Sequence, residues 1–160
     1  MTIANRLATT STGVARTRAL GRRLAKLLRA GDIALLQGPL GAGKTAFAQG
    51  VGAGLKVEGQ VTSPTFVLMA RHDGGSLPLF HADLYRLTAS EEVAELELAE
   101  QAAEGVLLVE WPELGLDALP NEHLLVAIEP VEDAPDERRI TFVANGERYQ
   151  RVLDGLAGRV

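Results

Sequence analysis

Residues 38–45 read Gly38-Pro39-Leu40-Gly41-Ala42-Gly43-Lys44-Thr45, which satisfies the pattern G-x-x-x-x-G-K-[ST]. No other string in the chain constrains its fold as tightly. In such a loop the glycines let backbone N–H groups converge on phosphate oxygens, and the start of a helix adds partial positive charge. A lysine reaches the outer phosphates, and a hydroxyl faces Mg2+. On this reading Gly38, Gly41, Ala42, Gly43, Lys44, Thr45 and Ala46 line the nucleotide, Lys44 takes part in catalysis and Thr45 is a metal ligand. The loop works only between a strand and a helix. Ile33-Ala34-Leu35-Leu36 before it is a short apolar run suited to a strand buried on both faces. After it, Ala46, Phe47, Ala48 and Val51 predict a helix over 44–55, weakened toward its end by Gly50, Gly52 and Gly54. The same segment contains Gly41-x-Gly43-x-x-Ala46, which matches a dinucleotide fingerprint. Glu58, the nearest acid at the required distance, has no strand before it, so the phosphate-loop reading prevails.

The remaining pattern extends this unit into a single α/β domain over 1–160, a layer sandwich with a mainly parallel central sheet plus antiparallel hairpin strands. Ala19, Leu20, Leu24, Leu27 and Leu28 predict a first helix over about 12–30, with Gly31 as its cap. The runs 65–70 and 77–81 flank His72-Asp73-Gly74-Gly75 and predict a hairpin, whose second arm Pro78 makes either an edge or an irregular one. Ser90, followed by Glu91 and Glu92, predicts an N-cap and a helix reaching Glu104. Val106-Leu107-Leu108-Val109 is a second fully apolar strand, ending in Glu110-Trp111. Strands over about 123–129 and 139–144, a polar loop over 132–137 and a helix over 147–157 complete the chain. The glutamates 91, 92, 95, 97, 100 and 104 read as a solvated helix face.

Composition narrows the partners. With 160 residues the chain builds one core, and without cysteine it has neither disulfides nor thiolate chemistry. A net charge of −5 with no basic stripe argues against holding a polynucleotide directly. No apolar run is long enough to span a bilayer and no secretory signal is visible, so the expected location is the cytoplasm.

Two carboxylates complete the candidate site. Glu110 follows an apolar strand, where phosphate-loop folds place the acid that holds Mg2+ through its water shell. Asp83, in His81-Ala82-Asp83-Leu84-Tyr85-Arg86, stands where it could orient the attacking water or a group around the metal, or remain a solvated strand end. His81 and Tyr85 read equally well as structural. Thr62-Ser63-Pro64-Thr65-Phe66 carries three hydroxyls about 20 residues past the loop, where a phosphate-sensing segment or an ordinary Ser-Pro turn would fit.

Taken in order, GPLGAGKT, TSPTF, HADLYR and LLVEWPE resemble the bacterial ATPase component of the tRNA threonylcarbamoyladenosine pathway, the TsaE (YjeE) family. The resemblance covers about residues 10–130. It implies that Lys44 and Thr45 hold phosphates and magnesium, that Glu110 is the metal-associated acid, and that Asp83 is needed for hydrolysis. It further implies that residues 62–66 form a switch and that Trp111 lies near the nucleotide. The cofactors implied are ATP and Mg2+. The partners implied are TsaB and TsaD homologues, which the chain drives or resets, with tRNA reached only through that complex. Arg138 or Arg139 is a candidate nucleotide contact. A small-molecule kinase is the alternative, but no arginine for a lid occurs between Glu110 and Glu137. A GTPase would need an Asn-Lys-x-Asp segment, and Asn121-Glu122-His123-Leu124 is not one. A relic that only binds partners is disfavoured by intact Lys44, Thr45 and Glu110.

Overall fold

The computed structural model describes residues 2–3, 5–64 and 68–158. Among these residues eight strands form one sheet: β1 (Thr2–Ile3), β2 (Arg6–Ser11), β3 (Ile33–Gln37), β4 (Met69–His72), β5 (Leu79–Asp83), β6 (Val106–Glu110), β7 (His123–Val131) and β8 (Ala134–Asn145). Their spatial order is β1-β2-β8-β7-β3-β6-β5-β4. The four strands β7, β3, β6 and β5 run parallel, while β1, β2, β8 and β4 attach antiparallel. This is the α/β sheet expected, mainly parallel at its centre.

Helices cover both faces. On one, α1 (Val14–Ala25), α2 (Lys44–Leu55) and α5 (Glu147–Ala157) pack over Leu36, Leu108, Leu124, Val126 and Phe142. On the other, α3 (Ser90–Leu96), α4 (Leu98–Gln101) and the segment near Leu119 cover Leu35, Phe80, Ala82, Leu107 and Val109. β3 is fully buried from Ile33 to Leu36 and β6 from Val106 to Glu110 because both are sandwiched between these layers. The limits of α2 and α5 match those read from sequence.

Several expectations are corrected. The first helix ends at Ala25, not near residue 30. The carboxylate of Asp32 accepts the Arg29 amide at 2.8 Å and is gripped from α5 by Arg148, at 2.6 and 3.0 Å, which pulls the chain out of the helix. Gly31 is no helix cap; it sits at φ +91°, and its N–H bonds Gly105. Pro78 precedes an internal strand, and the edge is β4. The N-cap of α3 is Ala89, with the Glu92 carboxylate accepting its amide at 3.1 Å. The long helix breaks at Glu97, a left-handed residue at φ 48° between α3 and α4. The loop expected over 132–137 is mostly strand, because β7 and β8 continue to a tight turn at Glu132-Asp133. β1 and β2 are not among the strands expected from the sequence. All six glutamates of the α3–α4 face are exposed.

Candidate functional site

The carboxyl ends of parallel strands are where an open α/β sheet offers its crevice. Here Gln37-Gly38, Asp83 and Glu110 stand there together, since Asp83 and Leu36 both pair with Glu110 in register. Gly38 has no room for a side chain: a Cβ would lie 2.4 Å from the Ile128 carbonyl. Gly41 and Gly43 take φ of +77° and +108°, conformations that turn the loop back onto the first residue of α2. Ala42 is buried, and its N–H bonds Pro39 at 3.1 Å.

Lys44 opens α2 with 5% exposure and donates from Nζ to the Gly38 carbonyl at 2.6 Å. Its ammonium lies 3.4 Å from the centroid of the Trp111 ring. Trp111 in turn stacks on Tyr85, with centroids 4.9 Å apart. Burial pushes the lysine's pKa down, and the carboxylates of Glu110, Glu113 and Asp83 push back.

A chain of side chains runs from the loop into the sheet. The Thr45 hydroxyl lies 3.1 Å from the Ser63 hydroxyl, which donates to Oε2 of Glu110 at 3.0 Å. The same oxygen lies 2.6 Å from Nε2 of His81, a fully buried residue on β5. Burial works to raise the pKa of Glu110. The adjoining imidazole of His81, the Ser63 hydroxyl and Lys44 outweigh it, and the carboxyl is held below the ordinary glutamate range. Asp83 goes the other way. Burial raises its pKa, against the lowering effect of the Tyr85 amide that Oδ1 accepts at 2.9 Å. Two neighbouring carboxyls are thus pushed apart, one kept ionised and one disposed to take a proton.

Arg138 belongs to the site in a way the sequence left undecided between it and Arg139. Its guanidinium, reaching from β8, donates to the carbonyls of Ala42 at 2.9 Å and Gly41 at 3.2 Å, and also to Pro135 and Glu137. It therefore braces the loop from behind. Beside it, a cavity of about 140 Å3 lies between the loop, Gly13, Val14 and Thr17 of the α1 entry, and Pro135 and Asp136. A larger cavity of about 630 Å3 spreads over β7 and β8, lined by Arg6, His123 and Thr141 among others. It lies over β7 and β8 away from the glycine loop, which the small cavity touches through Gly41, Ala42 and Gly43. Of the expected switch segment, Thr62 is exposed and Ser63 bridges Thr45 to Glu110. Thr65 and Phe66 lie outside the described residues. The alternation of Leu79–Asp83 was the signal that could have joined His81 to this site, because it puts His81 and Asp83 on one face next to Glu110.

The donors fit the cofactors expected. Thr45, Ser63 and Glu110 offer hard oxygens of the kind Mg2+ takes alongside phosphate oxygens and water, and at the left-handed Gly41 no atom lies within 4 Å of where a Cβ would stand.

The family model described as "Threonylcarbamoyl adenosine biosynthesis protein TsaE" matches residues 11–140. A Streptomyces coelicolor relative, described as tRNA threonylcarbamoyladenosine biosynthesis protein TsaE, is 47% identical over 137 residues, covering 82% of this chain and 93% of the relative. A Bacillus subtilis relative of the same description is 41% identical over 142 residues, covering 88% and 87%. Among solved structures, that of Bacillus subtilis YdiB superposes with a TM-score of 0.80 at 34% identity, covering 99% of this chain and 98% of the other.

Proposed function

This chain belongs to the TsaE family of tRNA threonylcarbamoyladenosine biosynthesis proteins, and from that premise we propose that it is the ATP-binding and ATP-hydrolysing member of the machinery. The observation that carries the reading is the convergence of Lys44, Thr45 and Glu110 at the carboxyl ends of β3 and β6.

The residues would work as follows. The loop from Gly38 to Thr45 holds the phosphates with its backbone N–H groups and the start of α2. Lys44 exchanges the Gly38 carbonyl for phosphate oxygens, a trade between two acceptors at little reorganisation cost. Thr45 and the ionised Glu110 hold Mg2+, directly or through water; the ion, when bound, neutralises charge on the phosphates. Asp83, beside Glu110 and with its pKa raised, orients the attacking water and takes its proton. Arg138 keeps the loop closed by holding its carbonyls, and the cavity beside it borders the nucleoside. Gly41, Ala42, Gly43 and Ala46 line the phosphate side.

Arg138 is engaged with the loop's carbonyls. In this proposal the chain alone hydrolyses ATP slowly and a partner completes the site. The partners we assign are the TsaB and TsaD homologues, with tRNA met only through them. The place of work is the cytoplasm, in keeping with the finding that no helix of the described residues is long and apolar enough to cross a membrane.

The test is ATP turnover and co-purification with the TsaB–TsaD pair of the same organism. Wild type should bind the pair in a nucleotide-dependent way. Lys44→Ala should lose nucleotide binding and turnover, and Asp83→Ala should keep binding while turnover falls about 100-fold or more. Phosphorylation of a small metabolite without any engagement of the pair would replace this reading with the kinase one.

A further inference from the structure

His81 is 0% exposed, yet it is tied to the site by one short contact, Nε2 to Glu110 Oε2 at 2.6 Å. Its other ring nitrogen, Nδ1, is buried with no hydrogen-bond partner among the described residues. An unpartnered buried polar atom costs roughly 1–3 kcal/mol, so a histidine kept here for packing alone is a poor choice where an apolar side chain would fill the same space. The position gains from histidine only through Nε2. A carboxylate offers only acceptors, so in this contact Nε2–H is assigned as the donor to Oε2 of Glu110.

Ser63 and His81 both fall on the same oxygen, Oε2, and Oε1 takes neither bond. A carboxylate anchored through one oxygen from two directions has a fixed plane. It presents the other oxygen in one direction. The anchor comes from β5 across the parallel pair β5–β6, a rigid part of the sheet, whereas Ser63 belongs to a segment without regular structure. We propose that His81 is a positioning residue: its Nε2–H orients Glu110 toward the metal of the bound Mg-nucleotide, and it does so independently of Ser63. The inference rests on the Mg-ATP reading of the site. It concerns coordination and leaves phosphate binding by the loop untouched, as the hydrogen bond of His81 among the described residues goes to Glu110 and not to residues 38–45.

Two amides separate this role from packing. The side-chain nitrogen of glutamine occupies the position of Nε2, and that of asparagine the position of Nδ1, so His81→Gln keeps a donor toward Glu110 and His81→Asn does not. ADP affinity is measured by calorimetry on the full chain, once with Mg2+ and once with EDTA in its place. With EDTA, wild type, H81Q and H81N should agree within about twofold. With Mg2+, wild type and H81Q should gain affinity, and the gain of H81N should be smaller by about tenfold or more, as for outer-shell partners of metal ligands. An equal gain in H81N overturns the proposal, and so does a loss in EDTA as large as that in Mg2+, which marks a purely structural residue. If H81N does not fold by circular dichroism, His81→Met, apolar and of similar reach, replaces it with the same expected loss. If wild type itself gains nothing from Mg2+, the Mg-ATP reading fails first and this proposal with it.

Discussion

Asp83 and Glu110 lie side by side at the ends of β5 and β6, and their ionisation is driven in opposite directions by what surrounds them. The lowered pKa of Glu110 stabilises the fold at any pH above the ordinary glutamate value of 4.5; that contribution disappears as pH falls through the folded-state value below it. Asp83 has the reverse sign. Its raised pKa means the folded state binds this proton more tightly than the unfolded one, so the ionised form costs stability at neutral pH. The cost vanishes below the ordinary aspartate value of 3.8, where both states are protonated. Asp83→Asn keeps an oxygen for the Tyr85 amide and removes the charge. It should raise Tm at pH 7 by about 1–3 °C, with the gain shrinking toward pH 4, while turnover is lost. Thermal scans across pH read this directly, and a variant that is less stable at pH 7 would show that the carboxylate is held for structure. The type and place of both acids were legible, since each ends an apolar strand. Their division of labour was not, because it depends on His81 and Ser63 meeting Glu110 from 29 and 47 positions away.

The helices α1 and α2 meet through glycine. A Cβ on Gly21 would lie 2.3 Å from the Phe47 carbonyl, one on Gly50 would lie 2.0 Å from the Arg18 carbonyl, and one on Gly54 would lie 2.6 Å from the Ala25 side chain. In the sequence, Gly50 and Gly54 look like a weak end to α2. Their i, i+4 spacing instead lays one bare stripe against α1, and the close backbone approach sets the direction of the helix that begins at Lys44. Gly50→Ala therefore tests packing against propensity. Propensity alone would add about 1 kcal/mol of stability. Overpacking against backbone, which cannot move aside as a side chain can, should reverse the sign and leave the variant about 1–3 kcal/mol less stable by urea unfolding. Nucleotide affinity should weaken with it as α2 is displaced. A stabilised variant would mean that the two helices have room to part. The start of α2 was legible because the phosphate loop fixes it, and the structure ends the helix at a left-handed Lys56. The end of α1 was not legible, because it is decided by Asp32 and by Arg148, 116 residues further on.

Over the whole molecule, the parallel centre and the antiparallel strands β7 and β8 could be read from their apolar runs, and the first two strands could not. β2 is buried on one face only, at Leu7 and Ser11, so Arg6–Ser11 carries no hydrophobic pattern to notice. Yet β2 holds β8 along six registered pairs, from Arg6↔Val143 to Ser11↔Arg138. The last pair places Arg138, which carries the carbonyls of Gly41 and Ala42. Ser11 also bonds Thr17 at 2.7 Å and so fixes the entry to α1 beside the loop. Residues with no part in the chemistry thereby hold the loop's outer wall. A chain beginning at Thr12 would lose this ladder and the burial of Leu7, worth about 2 kcal/mol by itself, and would leave β8 an open edge. Its Tm should fall by 10 °C or more, and nucleotide affinity should fall about tenfold even at temperatures where the shortened chain is folded, because Arg138 is no longer held in register. If the shortened chain binds nucleotide as the full one does, Arg138 is fixed by its pairing with Pro130 on β7 alone, and the first two strands serve only the stability of the sheet.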